Sequence, residues 1–404
     1  MQRNSEDPRT DHTTGAESSP DPDLLSETVN RAYSIFSSGG DLKKTAGSVR
    51  QVFDDKPVID LVMDIVRTRK RSKEKFSRGE ELFFTSEGLR WATPEAAAEH
   101  CAERIRGDLV ADITCGQGGQ ALFFAKHSDT VIANDIDPVN TLITGMNAKA
   151  MGMDNIEVST ADCLSYDFVN SIPEGCAIFS DPARPPGSAE RSFDEILPDP
   201  RRIVEIYGSR ASGFCFEIPP HIQIDRIPFD CEMEFISIDG RINRLNIYLG
   251  DLKRSERSAV VLPERGRIEG TGEIIEYFDG ENLPGGIAYE VDLSLVKSGL
   301  LPMLMRDLGS EGAVIGLDKR RTLLITDVEI RSPFLKKGHR ILGRSTEEAL
   351  VSDLKDISAG SVTLRWEMDP GDYWNVRKSI ESELVGKRKV SLFRWKGYLL
   401  TERL

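Results

Sequence analysis

The sequence lacks any run approaching the ~20 consecutive apolar residues that a membrane-crossing helix needs. Its first residues are polar and do not form the basic-then-apolar pattern of a secretory leader. The expectation is a cytoplasmic protein without a membrane partner. Histidine is scarce, at five in 404 residues. His100, His127 and His221 stand apart from any obvious nucleophile, so a hydrolytic triad finds no support. The six cysteines (Cys101, Cys115, Cys163, Cys176, Cys215, Cys231) form no C-x-x-C pair and have no histidine spacing suited to zinc. They read as reduced, mostly buried residues, and no metal is expected. Positive charge is also short. A net charge of −14 argues against sequence-independent coating of nucleic acid.

That deficit is not uniform. From Arg331 to Leu404, 15 Lys/Arg face 10 Asp/Glu, which makes the C-terminal end the candidate phosphate-facing surface. The cluster Lys387-Arg388-Lys389 reads equally well as a solvated turn. Trp366, Trp374 and Trp395 alternate with basic residues there, as stacking platforms do, with ordinary packing as the competing role.

A chain of this length holds two or three domains. Residues 1–22 contain almost nothing that can be buried and read as a disordered tail. Residues 23–92 read as a helical region, with Val58, Leu61, Val62 and Ile65 at helical spacing before the basic run "RTRKRSKEKF". Residues 93–255 alternate strand and helix, which predicts a parallel sheet with helices on both faces. Thr93 is the expected cap of its first helix, with Pro94 in the first turn. The Asp-Gly of "DGRIN" predicts a closing hairpin. The polar stretch "KRSERSAVVLPERGR" reads as a break. Residues 256–404 then read as an α+β unit, in which "VDLSLVKSGLLPMLMRDLG" is one helix. Ser345 and Glu348 have capping-box spacing before another helix. Two strand–helix units suggest a ferredoxin-like domain.

Chemistry concentrates in "ADITCGQGGQALFFA", where Gly116, Gly118 and Gly119 follow a strand and open a helix. Glycines permit close backbone approach, and a helix N-terminus offers free N–H groups. Alone they leave nicotinamide, flavin and phosphate cofactors open. Three acids narrow the choice. Asp112 ends the strand before the turn, where an anion repels a pyrophosphate but suits the cationic amino-acid end of S-adenosylmethionine. Asp135, about 20 residues on, sits where an acid holds ribose hydroxyls. Asp162, at the next strand end, is placed to meet an adenine amino group. In "IFSDPARPPG", Asp181 can accept a hydrogen bond from a planar amine, and Pro182 stiffens the loop while offering its carbonyl. Methyl transfer is an in-line displacement, so such alignment supplies much of the rate.

In that order, Asp112-x-Thr-Cys-Gly-x-Gly-Gly, Asp135, Asp162 and Asp181-Pro-Ala-Arg resemble the class I S-adenosylmethionine-dependent methyltransferases. From about Lys70 onward, "KRSKEKF", "LFFTSEGLRWATPEAAAEH", "NDIDP" and "DPARPPG" are similar to a subfamily that joins this core to a C-terminal THUMP-like, ferredoxin-like domain. "TPEAAAEH…DITCGQGG…NDIDP" also resembles the trimethylguanosine synthase branch, which methylates a guanine amine on capped RNA.

The resemblance implies a Rossmann-like seven-stranded sheet and S-adenosylmethionine as cofactor. It implies Thr93, Asp112, Cys115, Gly116, Gly118, Asp135, Ile136 and Asp162 as cofactor contacts, and Asp181, Pro182 and Arg184 as catalytic residues. Amino-methylating enzymes usually carry an aromatic after the proline pair, where this chain has Ala183 and Arg184. Arg184 can stack on a base or clamp a phosphate, and Phe193 is an alternative aromatic face or a core residue. The implied function is methylation of RNA at a base nitrogen. The alternatives are a small-molecule or protein methyltransferase, and a non-catalytic S-adenosylmethionine- or RNA-binding module.

Overall fold

The structure, a computed structural model, describes residues 20–182, 193–283, 286–336 and 338–404. Most of the expected tail, and Ala183 and Arg184 with it, lies outside these residues. Four helices come first: α1 (Pro22–Ser37), α2 (Leu42–Val49), α3 (Lys56–Arg69) and the short α4 (Ser86–Trp91). Leu25, Val29, Val62, Ile65 and Val66 form one apolar stripe of this group.

The first sheet follows. Its parallel part is built from β1 (Leu109–Asp112), β2 (Thr130–Asp135), β3 (Ile156–Thr160), β4 (Cys176–Ser180) and β5 (Ala211–Ile218). The helices of this region are α5 (Glu95–Ile105), α6 (Ala121–His127), α7 (Pro138–Met151), α8 (Tyr166–Ser171) and α9 (Pro200–Tyr207). Local rules set their ends. In α7 the Asp137 side chain accepts from the Val139 N–H, Pro138 fills the first turn, and Gly152 closes the helix at φ 69°. The α1–α3 group packs on this helix through Ile143 and Met146.

Beyond β5 run β6 (Glu232–Ile238), β7 (Arg241–Gly250), β8 (Arg257–Leu262) and β9 (Gly266–Gly270). The order is β3-β2-β1-β4-β5-β7-β6-β8-β9. Asp239 and Gly240 both take positive φ (51° and 69°), giving the tight β6–β7 hairpin that the Asp-Gly pair predicts.

The expected seven strands are extended by two. "SAVVL" in the stretch read as a break forms β8, because it is buried on both faces. Val260 and Leu262 meet Ala97 of α5, while Ala259 and Val261 meet the C-terminal unit. A strand covered on both sides shows no alternation, and four apolar residues give too short a run to separate from a linker.

The C-terminal unit carries a second sheet of seven strands: β10 (Ile287–Glu290), β11 (Ala313–Asp318), β12 (Arg321–Thr326), β13 (His339–Ser345), β14 (Ala359–Leu364), β15 (Arg388–Arg394) and β16 (Tyr398–Arg403). Their order is β11-β12-β10-β13-β16-β15-β14, with only β14–β15 parallel. Its helices are α10 (Leu293–Ser298), α11 (Leu301–Asp307), α12 (Leu350–Asp356) and α13 (Pro370–Glu381).

Two helix expectations need correction here. The segment expected as one helix is α10 plus α11, broken at Gly299 with φ 73°. Helix α12 begins at Leu350 rather than after Ser345, which ends β13. The Thr346 hydroxyl, not that of Ser345, accepts from the Ala349 N–H (3.2 Å).

Candidate active site

The strand order reverses between β1 and β4, and open α/β sheets build their sites at the carboxyl ends beside such a switch point. Four acids stand at or just past successive strand ends: Asp112 on β1, Asp135 on β2, Asp162 after β3 and Asp181 after β4. A fifth, Glu217, lies near the end of β5.

Asp112 is 1% exposed. One of its oxygens accepts from the Thr114 N–H (3.3 Å), and the other has no hydrogen-bond partner among the described residues. Burial, reinforced by the neighbouring charges of Asp135 and Glu217, pushes its carboxyl well above the usual carboxylate range. A buried acceptor without a donor costs stability, and a cationic ligand group relieves that cost.

The loop after Asp112 is shaped for a ligand. Gly116 holds φ 54°, and a Cβ built on it would meet nothing within 4 Å. Gly118 holds φ 82°, where a Cβ would come within 3.0 Å of the Thr144 side chain. The open space at the first glycine and the packed space at the second describe a loop turned outward and braced from behind. Asp135 fixes it, accepting from the Gly116 N–H (2.9 Å), the Asp137 N–H (2.9 Å) and the Asn140 amide (3.2 Å). Ile136 beside it is 71% exposed, an apolar side chain left at the rim of the strand ends. Asp162 is exposed and accepts from the Leu164 N–H (2.9 Å). Cys115 is buried, which pushes its thiol well up and leaves it neutral.

Asp181 is anchored through its backbone. Its N–H donates to the Thr114 hydroxyl (2.9 Å), tying the β4 loop to the β1 loop. Burial raises its carboxyl well above the usual range, Glu217 and Asp112 add to the effect, and Arg244 of β7 opposes it. Arg244 is ion-paired with Glu217 and donates to the Thr93 hydroxyl (3.2 Å). Thr93 is therefore not the cap of α5. That helix starts at Glu95 with Pro94 in the cap position, leaving the hydroxyl to the arginine.

Glu217 and Arg244 escaped the sequence reading. The acid in "FCFEIP" was the available signal for Glu217, whereas nothing in "RINRLNIYLG" marks Arg244 from its neighbours. Pro182 is buried at the end of the described segment, and Arg184 lies beyond it. Phe193 is 2% exposed and packs edge-on against Phe229 in the core.

The N-terminal helices reach this site. The Gln117 side chain accepts from the Thr85 N–H (3.0 Å) and donates to its hydroxyl (2.8 Å), so α4 lies against the glycine loop. Among the described residues, Glu99, Glu103 and His127 approach one another as metal ligands would. Lys126 and Arg265 already pair with the two carboxylates.

Residues 107–188 match the family model described as RNA cap guanine-N2 methyltransferase. Two strains of Mycobacterium tuberculosis, CDC 1551 and H37Rv, carry relatives designated uncharacterized S-adenosylmethionine-dependent methyltransferases. Each is 26% identical over 271 residues, covering 65% of this chain and 70% of the relative. A solved structure from Porphyromonas gingivalis W83, assigned as a methyltransferase, matches 95% of this chain and 99% of its own. Its TM-score is 0.70 at 14% identity, which makes it a likeness of fold. This chain is an S-adenosylmethionine-dependent methyltransferase.

The cofactor fits the methyltransferase on the structure's own terms. The orphaned Asp112 oxygen matches a cationic amino group, and the open face of Gly116 leaves room for close approach. When bound, S-adenosylmethionine supplies a sulfonium methyl as the electrophile.

Proposed function

We propose that this methyltransferase acts on RNA, at an exocyclic or ring nitrogen of a base. The observation that carries the reading is the Asp181 backbone N–H held by the Thr114 hydroxyl (2.9 Å), which fixes this half-buried acid at the switch point of the sheet, under the charges of Glu217 and Arg244. A planar amine entering there meets acceptors and excludes water. The Asp181 side chain and the Pro182 carbonyl would hold the two N–H groups and leave the nitrogen lone pair facing the methyl. In its ionised form Asp181 would receive the proton released as the new N–C bond forms and the methyl leaves the sulfonium sulfur, and its raised proton affinity makes it the stronger base. Asp112 would hold the cofactor's amino group, Asp135 its ribose, and Ile136 and Asp162 its adenine, with Cys115, Gly116 and Gly118 as the backbone cradle and Thr93 at its edge. Arg184, two residues on from Pro182 in the sequence, would contact the base or its phosphate.

The description of the family model over residues 107–188 supports RNA as the acceptor class. The basic surplus of the C-terminal end supports a presenting role for the second unit, which we read as a THUMP-like domain. Within it Trp374 is exposed with Arg377 over its ring (5.4 Å), while Trp395 is buried.

The test is transfer of a radiolabelled methyl group from S-adenosylmethionine into total RNA by the wild type and by Asp181→Ala. Label in RNA that disappears in the variant is the expected result. Label confined to protein or small-molecule fractions, or no label at all, overturns the reading.

A further inference from the structure

Trp91 ends α4 two residues before Thr93, and it is 66% exposed. A large aromatic left in water on a rigid element is unusual for a packing residue and typical of a contact surface.

Its backbone is held with unusual care. The Lys75 ammonium donates to the carbonyls of Arg90 (2.9 Å) and Ala92 (2.6 Å), the residues on either side of Trp91. That ammonium is half-buried, and the charges it feels are those of Arg244 and Glu217. Two residues on from Trp91, the Thr93 hydroxyl accepts from Arg244 (3.2 Å), which is ion-paired with Glu217, so this segment reaches the acceptor side of the site. Ala92 lies over the glycine loop, since a Cβ on Gly119 would touch its Cβ at 3.4 Å. Trp91 thus stands at the mouth of the site on a short segment tied down at Arg90, Ala92 and Thr93.

Its neighbour adds a second chemistry. The Arg90 guanidinium lies 4.9 Å from the Trp91 ring centroid, over one face. Arg90 is exposed, and its side chain makes no ion pair among the described residues. An arginine stacked on an aromatic keeps its in-plane N–H donors free, and those donors match phosphate geometry.

We propose that Arg90 and Trp91 form a nucleotide subsite at the entrance of the active site, with the Trp91 ring stacking on a nucleobase of the RNA acceptor and Arg90 holding an adjacent phosphate. This pair supplies the aromatic that the Asp181-Pro182 loop lacks at Ala183 and Arg184. The inference rests on the RNA reading above and names the part of the site that meets the base.

The experiment uses the full chain and a mixed-sequence single-stranded RNA dodecamer. Affinity is read by anisotropy of a labelled strand, and contact by quenching of tryptophan emission with an unlabelled one. Trp91→Ala is expected to bind RNA about tenfold more weakly, in keeping with the usual loss of one base–aromatic stack. Trp91→Phe is expected to keep most of the affinity while losing the quenching that Trp91 contributes. Arg90→Ala is expected to lower the slope of log affinity against log salt by about 0.7, one phosphate's share for a single strand. S-adenosylmethionine affinity in all three variants is expected to equal that of the wild type, which also reports that each is folded.

Wild-type RNA affinity in Trp91→Ala, or undiminished quenching in Trp91→Phe, overturns the subsite and leaves the RNA reading standing. A wild type that binds no RNA at all overturns both.

Discussion

Two ionic clusters, one half-buried and one fully buried, lie in the same sheet and are built on opposite terms. At the carboxyl ends of β1, β4 and β5, Asp112, Asp181 and Glu217 gather with one arginine among them. Towards the other edge, Glu232 and Glu234 of β6 are fully buried but heavily partnered. Glu232 accepts from Arg104 (2.8 Å), Arg267 (2.9 Å) and the Ser258 hydroxyl (2.7 Å). Glu234 accepts from His100 (3.0 Å), Tyr248 (2.9 Å) and Arg267. Burial works against the charge of Glu234 as well, yet His100 and Arg267 overcome it and hold its carboxyl down at about 2. The second cluster is neutralised from within and ties α5, β6, β8 and β9 together. Among the described residues the first leaves one buried Asp112 oxygen without a donor, which a structural cluster tolerates poorly and a binding site requires.

The largest expected effect is on catalysis. Asp181→Ala should lower methyl transfer by at least ~100-fold, the usual scale for a lost acid–base or orienting group, with melting temperature unchanged or raised. An unaffected rate would place the chemistry elsewhere. In the partnered cluster, Glu234→Gln should instead cost about 3 kcal/mol of stability, because it leaves Arg267 and His100 without a buried countercharge. Chemical denaturation measures this. A loss below about 1 kcal/mol would mean that the cluster is solvated and the contrast between the two sites is false.

The same contrast fixes the sign of the pH response. Asp112 binds its proton more tightly in the folded chain than the ~3.9 of an unfolded aspartate. Its contribution to the stability of the cofactor-free protein is therefore full below ~3.9 and lost as pH rises through its raised value. Glu234, held down at about 2, gives stability that is present above the ~4.3 of an unfolded glutamate and lost as pH falls towards about 2. A cationic amino group needs Asp112 ionised, so cofactor affinity should rise with pH above the ~3.9 of an ordinary aspartate, by up to tenfold per unit while Asp112 is still protonated. Calorimetric titration across that range checks it. Asp112→Asn should flatten the profile, and a wild-type profile that is already flat would remove Asp112 from the ligand's reach.

How much of this was legible beforehand follows from the kind of signal each part leaves. Asp112 and Asp135 end strands and Asp162 and Asp181 closely follow them, and strand ends can be read from apolar runs that stop at or near an acid. The Asp239-Gly240 hairpin was readable because its turn demands positive φ at both residues. Arg244 was not, since it joins the site only when β7 inserts between β5 and β6, a pairing that no local pattern encodes. Strand β8 was hidden by burial on both faces, and the break in "VDLSLVKSGLLPMLMRDLG" by the strength of the helical periodicity around Gly299. Thr93 misled because a threonine before a proline looks like a cap. Its hydroxyl is used instead by a residue 151 positions away.

The smallest expected effect separates shape from charge within the first cluster. Gly116→Ala places a Cβ where the chain has nothing within 4 Å, so no atoms of the protein clash. The cost to the free protein is then conformational only, about 1 kcal/mol for an L-residue at φ 54°. If the loop is a cradle, that methyl projects into the volume the cofactor needs, and affinity should fall further than stability does. Gly118→Ala is the paired control. It carries a similar φ penalty plus a contact with Thr144 at 3.0 Å, so it should destabilise the fold more than Gly116→Ala does. Thermal melts with and without S-adenosylhomocysteine measure both quantities at once. The cradle predicts that ligand-induced stabilisation shrinks most in Gly116→Ala, the variant with the milder intrinsic defect. Equal shrinkage in both, tracking stability alone, would mean that the open face of Gly116 is bare surface and that the unpaired Asp112 oxygen alone carries the case for the cofactor at this loop.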